Sequence, residues 1–142
     1  MSTYYAQPLK APHFANAVGG IYYSPQGYIQ LTWSADRIQL ADLQDFYEQA
    51  LQLLDSTVCR KILSEHSQRQ PLSAAAQHWI AHNWIPRVMK QVHVKHCAIV
   101  DGSNPMHRLS TQTVIGEAPA GFIFKRFTTV AEAETWLSSL PA

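Results

Sequence analysis

From residue 21 onward the apolar side chains keep switching between two spacings, and that alternation restricts the chain to a body of sheet and helix layers. In 28–33, Ile29, Leu31 and Trp33 alternate with Tyr28, Gln30 and Thr32, the period of two that a half-buried strand requires. In 40–55, Leu43, Phe46, Tyr47, Ala50, Leu51 and Leu54 return every three or four residues, which lines one side of a helix and scatters over both faces of a strand.

Applied along the chain, the same test gives the order of elements. Ser24-Pro25-Gln26-Gly27 separates Ile21–Tyr23 from Tyr28–Trp33 and predicts a β-hairpin. Val58–Leu63 reads as a strand, followed by a polar loop over 64–72. Ser73 is placed to cap a helix running to about Gln91, with Ala76, Ile80, Trp84 and Val88 as its stripe, widened by Ile85 and Val92. Pro86 removes the hydrogen bond to the His82 carbonyl, so a kink is expected there.

His96–Val100 is apolar enough for a central strand buried on both faces. Asp101 to Pro105 turns into a short helix through about Ile115, and Phe122–Phe127 is the last strand. Thr129 and Glu132 form a capping box for a final helix with Val130, Ala133, Trp136, Leu137 and Leu140 on its stripe. The order β-β-α-β-α-β-α-β-α predicts an α/β fold, a mixed and largely parallel sheet flanked by helices with right-handed crossovers. Residues 1–18 carry no period and read as an N-terminal arm ahead of a single domain over 19–142.

A chain of 142 residues can bury a core without disulfide or metal staples. Eleven Lys and Arg against ten Asp and Glu, scattered singly, give no basic stripe, so no nucleic-acid partner is expected. No run approaches the ~20 apolar residues that span a bilayer, and Met1 to Ala17 lacks the pattern of a secretory signal. Neither membrane insertion nor export is expected. Cys59 and Cys97 sit in apolar runs as small buried hydrophobes, which points to the cytoplasm.

One stretch resembles a known family. Pro71-Leu72-Ser73 through Gln77-His78-Trp79-Ile80-Ala81-His82-Asn83-Trp84-Ile85-Pro86-Arg87 is similar to the signature helix of the SpoIIAA-like, STAS-type proteins of bacteria. Ser103 to Ser110 and Phe127 with Ala131 to Leu137 resemble the same family, so the likeness covers about residues 20–140. The resemblance implies a sheet flanked by helices and a non-enzymatic, signalling role. Members of the family switch on a phosphorylatable serine in an Asp-x-Ser-Gly loop after the third strand. Here that loop is Leu63-Ser64-Glu65-His66-Ser67-Gln68, without the motif, which leaves Ser64 and Ser67 as the candidate acceptors.

In open α/β sheets ligands bind beyond the carboxyl ends of the strands. The loops after the third and fourth predicted strands should emerge on that edge together. This makes Glu65, His66, Ser67, Asp101, Ser103, Asn104 and Arg108 the candidate ligand or partner residues. No Gly-x-Ser-x-Gly elbow, Walker A loop or GxGxxG loop occurs, so no catalytic residue and no cofactor are expected.

His78 and His82 have metal-ligand spacing, but they lie about 200° around the helix from the stripe, counting ~100° per residue. No third ligand is evident from the sequence, so both are assigned to the surface and no metal is expected. Trp79 falls off the stripe and is a candidate, with Tyr22, Tyr23 and Tyr28, for an exposed aromatic patch. The resulting expectation is a non-enzymatic regulatory or protein-interaction module of STAS type, homodimeric, with an unidentified protein partner. The alternative is a small-molecule or lipid-binding domain, its apolar cavity between the kinked helix and the sheet and lined by Trp84, Val88 and Met106.

Overall fold

A computed structural model describes residues 11–141, and the alternation of periods builds what it predicts. The sheet has six strands in sequential order: β1 (Phe14–Asn16), β2 (Gly19–Ser24), β3 (Tyr28–Trp33), β4 (Lys61–Glu65), β5 (His96–Val100) and β6 (Ile123–Phe127). β1, β2 and β3 pair antiparallel, whereas β3 to β6 pair parallel. The predicted mixed sheet is therefore present. The expected arm is only partly tested, because residues 1–10 lie outside the described residues. Phe14 to Asn16 do not hang free: they add an edge strand to the hairpin.

Two layers of helix cover the sheet. One face carries α1 (Leu40–Asp55), then α2 (Ala74–Trp79), a π-helical turn over Ile80–Trp84, α3 (Ile85–Val92) and α4 (Pro105–Glu117). The other face carries α5 (Val130–Ser139). Side-chain alternation along each strand feeds both layers. Ile62, Cys97 and Ile99 join the larger core, while Leu63, Ala98 and Val100 pack against Ala133 and Leu137 of α5. Double-sided burial fits the apolar run Cys97–Val100 of β5 and the Ile62–Leu63 pair of β4.

Local chemistry sets the ends of the elements. Ser73 accepts from the Ala76 N–H and caps α2, and Asn104 accepts from the Met106 and His107 N–H groups with Pro105 opening α4. Thr129 and Glu132 close the expected box. The predicted kink takes a specific form. The Ile85 N–H reaches back five residues to the Ile80 carbonyl, so one turn widens just before Pro86. A π turn absorbs the carbonyl that proline leaves without a donor and keeps the apolar stripe in phase.

Two further features differ from the sequence expectation. The strand expected at Val58–Leu63 lies at Lys61–Glu65, because Arg60 is held back in the preceding turn by bonds from its guanidinium to the carbonyls of Leu54, Thr57 and Cys59. Ser64 consequently sits inside the strand rather than on a loop. The aromatic patch also dissolves. Tyr28 is buried against α5 and donates to Glu134, while Trp79 packs on Tyr47 across the other face of the sheet.

The two rim loops touch closely at Gly102, where a Cβ would stand 2.7 Å from the His66 carbonyl oxygen. Gly102→Ala should therefore lower stability by about 1–3 kcal/mol. Gly116, in the last turn of α4 with open space around it, should respond oppositely: Gly116→Ala should raise stability by about 0.5–1 kcal/mol. Urea denaturation of the two variants beside wild type reads both signs.

Candidate functional site

Because β4 and β5 are parallel and in register, Glu65 lies beside Val100 and the segments that follow leave the sheet together. The His66 N–H donates to the Val100 carbonyl at 2.9 Å, and the Asp101 N–H donates to that of Phe127 at 3.0 Å. The two loops expected to share an edge do so.

Beneath them lies a chain of buried polar groups. Trp33 Nε1 donates to Ser64 Oγ at 2.9 Å, and Ser64 Oγ lies 2.7 Å from His66 Nε2. Arg69 donates to the same nitrogen at 2.8 Å, with its guanidinium 4.4 Å above the Trp33 ring. A guanidinium has no lone pair, so His66 Nε2 must be the acceptor and Nδ1 carries the proton of the neutral ring. Burial, and after it the charge of Arg69, holds His66 well below the usual imidazole range.

His107, on the first turn of α4, sets its ring edge-on to His66 at 5.0 Å. It is fully buried, and neither ring nitrogen has a hydrogen-bond partner among the described residues. Burial, with the charge of Arg69 next in size, lowers it to about 4.

The balance of charge decides what this cluster can hold. Arg69 is only 5% exposed, and burial lowers it to about 10, which leaves it protonated at neutral pH. Among the described residues no carboxylate bonds to it, and its Nε has no partner. The nearby acid, Asp101, is already gripped by a fork from Arg126, with both contacts at 2.9 Å. His66, Asp101 and His107 bring their ligand atoms within 4.8 Å of one another. A cation there would face Arg69 bonded to one ligand and Arg126 to another. The arrangement suits an anion.

Nucleophilic chemistry fits no better. The Ser64–His66 pair has the separation of a nucleophile and its base, but the ring lone pair already receives Arg69 and its basicity is depressed.

A cavity of about 40 Å³ adjoins the cluster. Ser64, His66 and Arg69 form its polar end, and apolar side chains including Ile80, Trp84, Ile85, Ile99, Val114 and Phe124 form the rest. It lies between the sheet and the π turn, where the alternative reading expects a cavity. Of the three residues expected to line it, Trp84 does; Val88 is packed into the core and Met106 stands 62% exposed.

The rim residues divide accordingly. His66 and Asp101 belong to the buried cluster. Glu65 accepts from the Ser67 N–H and hydroxyl, Asn104 is consumed as the α4 cap, and Ser103 and Arg108 are exposed. Of the two serines expected as phospho-acceptors, Ser64 is 4% exposed and bonded on two sides, closed to a kinase in this fold, while Ser67 lies on the surface. Sequence reasoning missed Trp33, Arg69, His107 and Arg126 as members. One signal was available: a Trp on the buried side of a strand needs an acceptor for its N–H, and the adjacent strand offers Ser64.

Both imidazoles stay neutral when buried, whereas in the unfolded chain they take up protons near pH 6.5. The unfolded state therefore binds more protons below about pH 6.5, and stability falls as acid is added down to the folded values, about 4 for His107. The slope should reach about 1.4 kcal/mol per pH unit for each histidine, and the contribution is flat above that window. His107→Leu should remove about half of the slope, read from urea midpoints measured between about pH 5 and about pH 7.

Comparison with known proteins gives a fold and no family. No family model matches the sequence, and no curated protein does. Among solved structures, the NMR structure of the protein TM1081 is similar, with a TM-score of 0.59 at 14% identity over 92% of this chain and 96% of that one. At that identity the likeness shows the α/β fold alone. No helix among the described residues is long and apolar enough to cross a membrane.

Proposed function

We propose that this chain is a non-enzymatic regulatory module that binds a small organic anion in the cavity beside Arg69. One observation carries the reading: a buried guanidinium, with no carboxylate bonded to it among the described residues, lines a largely apolar cavity. An uncompensated buried charge costs several kcal/mol, and an anion entering the cavity would offset that cost while its apolar part meets Trp84, Ile99 and Val114. The volume selects the ligand. About 40 Å³ holds roughly three water-sized bodies, the scale of a carboxylate with one or two methylenes. Two buried thiols left unpaired, Cys59 and Cys97, support a reducing compartment such as the cytoplasm.

Titration calorimetry with acetate, propionate and butyrate, against the matching alcohols, tests the reading. A carboxylate should bind and its alcohol should not. Arg69→Met should abolish binding while leaving the ligand-free protein as stable as before, or about 1–4 kcal/mol more stable, because it removes a buried charge. Equal binding of acid and alcohol, or none at millimolar concentration, would sink the anion site.

A second reading, the STAS-type protein-interaction module, draws on a different observation. Met106 and Leu109 stand 62% and 61% exposed on the first two turns of α4, with Arg108 between them. A homodimer formed through this face should appear as twice the chain mass in light scattering, and Leu109→Glu should return it to monomer. A wild-type monomer at high micromolar concentration removes the homodimer.

A further inference from the structure

The outer surface of the π turn carries a second cluster, distinct from the buried one in every relevant respect. His78 ends α2, His82 lies in the π turn, and Glu117 is the last residue of α4, which packs beside them. The two imidazole rings lie with centroids 4.4 Å apart, their planes tilted by 33°. His82 Nε2 is 3.0 Å from Glu117 Oε1, and the ligand atoms of all three residues lie within 4.8 Å of one another.

We propose that His78, His82 and Glu117 form a binding site for a divalent transition-metal ion, zinc being the probe of choice. Tetrahedral zinc has bonds of about 2.0–2.2 Å to nitrogen and oxygen, which places neighbouring ligand atoms roughly 3.3 Å apart. The His82–Glu117 pair already has nearly that separation, and the His78 ligand atom lies within 4.8 Å of both. Two imidazoles and a carboxylate favour zinc, nickel or copper over magnesium or calcium, which prefer all-oxygen sites.

Electrostatics separates this cluster from the His66, Asp101 and His107 group. Among the described residues Glu117 forms no ion pair with Lys or Arg, and its partner is His82. Arg87, in the helix that continues from the π turn, is committed to Glu48 and Asn83. His82 and Glu117 side chains are 47% and 45% exposed, so an ion enters directly from water and keeps a water as its fourth ligand. Sequence spacing identifies the two histidines. The third ligand is 35 residues further on and arrives only because α4 crosses the π turn.

An ion held this way ties α2 and the π turn to the end of α4. Zinc titration of the full chain by calorimetry should give one ion per chain. His78→Ala and His82→Ala should each weaken binding at least tenfold, and Glu117→Gln should weaken it to a smaller extent. Magnesium should not compete. All three positions are exposed, so the variants should fold, which circular dichroism verifies. Zinc should also raise the melting temperature of wild type and leave that of His82→Ala unchanged. No saturable zinc binding overturns the proposal. So does binding that survives both histidine substitutions, since the ion would then sit elsewhere, the buried histidine cluster included.

Discussion

The parallel alignment of β3 to β6 is the constraint on which the rest of this structure depends. Parallel strands end on the same side of the sheet, so the residues after β4, β5 and β6 are delivered to one rim whatever their sequence. Glu65 beside Val100, and Val100 beside Phe127, fix the level at which His66, Asp101 and Arg126 emerge. Each connection must also cross the sheet through a helix, and here the helices between parallel strands lie on one face. The space between them and the sheet contains both Trp84 and the cavity. Antiparallel pairing of the same strands would have sent His66 and Asp101 to opposite ends.

Most of the architecture was legible because it rests on repeated signals. Seven apolar positions of α1 are buried together, and a stripe of that length overrides any single unfavourable residue. Thr129 with Glu132, Ser73, and Asn104 with Pro105 are local motifs whose physics is complete within four residues. What escaped was short or depended on distant partners. β1 is three residues long, below the length at which alternation can be counted. β4 was misplaced by its start because Arg60 and Lys61 look like solvent residues. Each instead satisfies backbone carbonyls: Arg60 at the end of α1, and Lys61 at the end of α5, where its ammonium reaches the Leu137 carbonyl at 2.8 Å.

The same distinction explains the site. His66 and Asp101 were expected because strand-end loops are predictable from topology. Arg69 was not, since nothing local distinguishes a charged loop residue in solvent from one folded under the loop. Its burial is decided by Trp33, from the opening hairpin, and by His66, which together supply a ring face and an acceptor. The expectation that Met106 points inward failed for a geometric reason. Pro105 and the Asn104 cap fix the start of α4, so the inward positions of its first turns are His107, Ser110 and Thr111, and Met106 is left on the outside.

The π turn links the two proposed sites. Its inner side chains, Ile80 and Trp84, with Ile85 just beyond, form cavity wall, and its outer side presents His82. Both border the widened turn that precedes Pro86. α4 borders both sites as well, through Val114 and Ile115 at the cavity and Glu117 at the cluster. An ion bound as proposed would tie the end of α4 to the π turn and so restrain these walls, and an anion bound beside Arg69 would act on the same walls from within. Coupling between two binding equilibria is reciprocal by thermodynamic necessity. Whatever factor one ligand exerted on the other would be returned in full, and the π turn and α4 are the segments that border both sites.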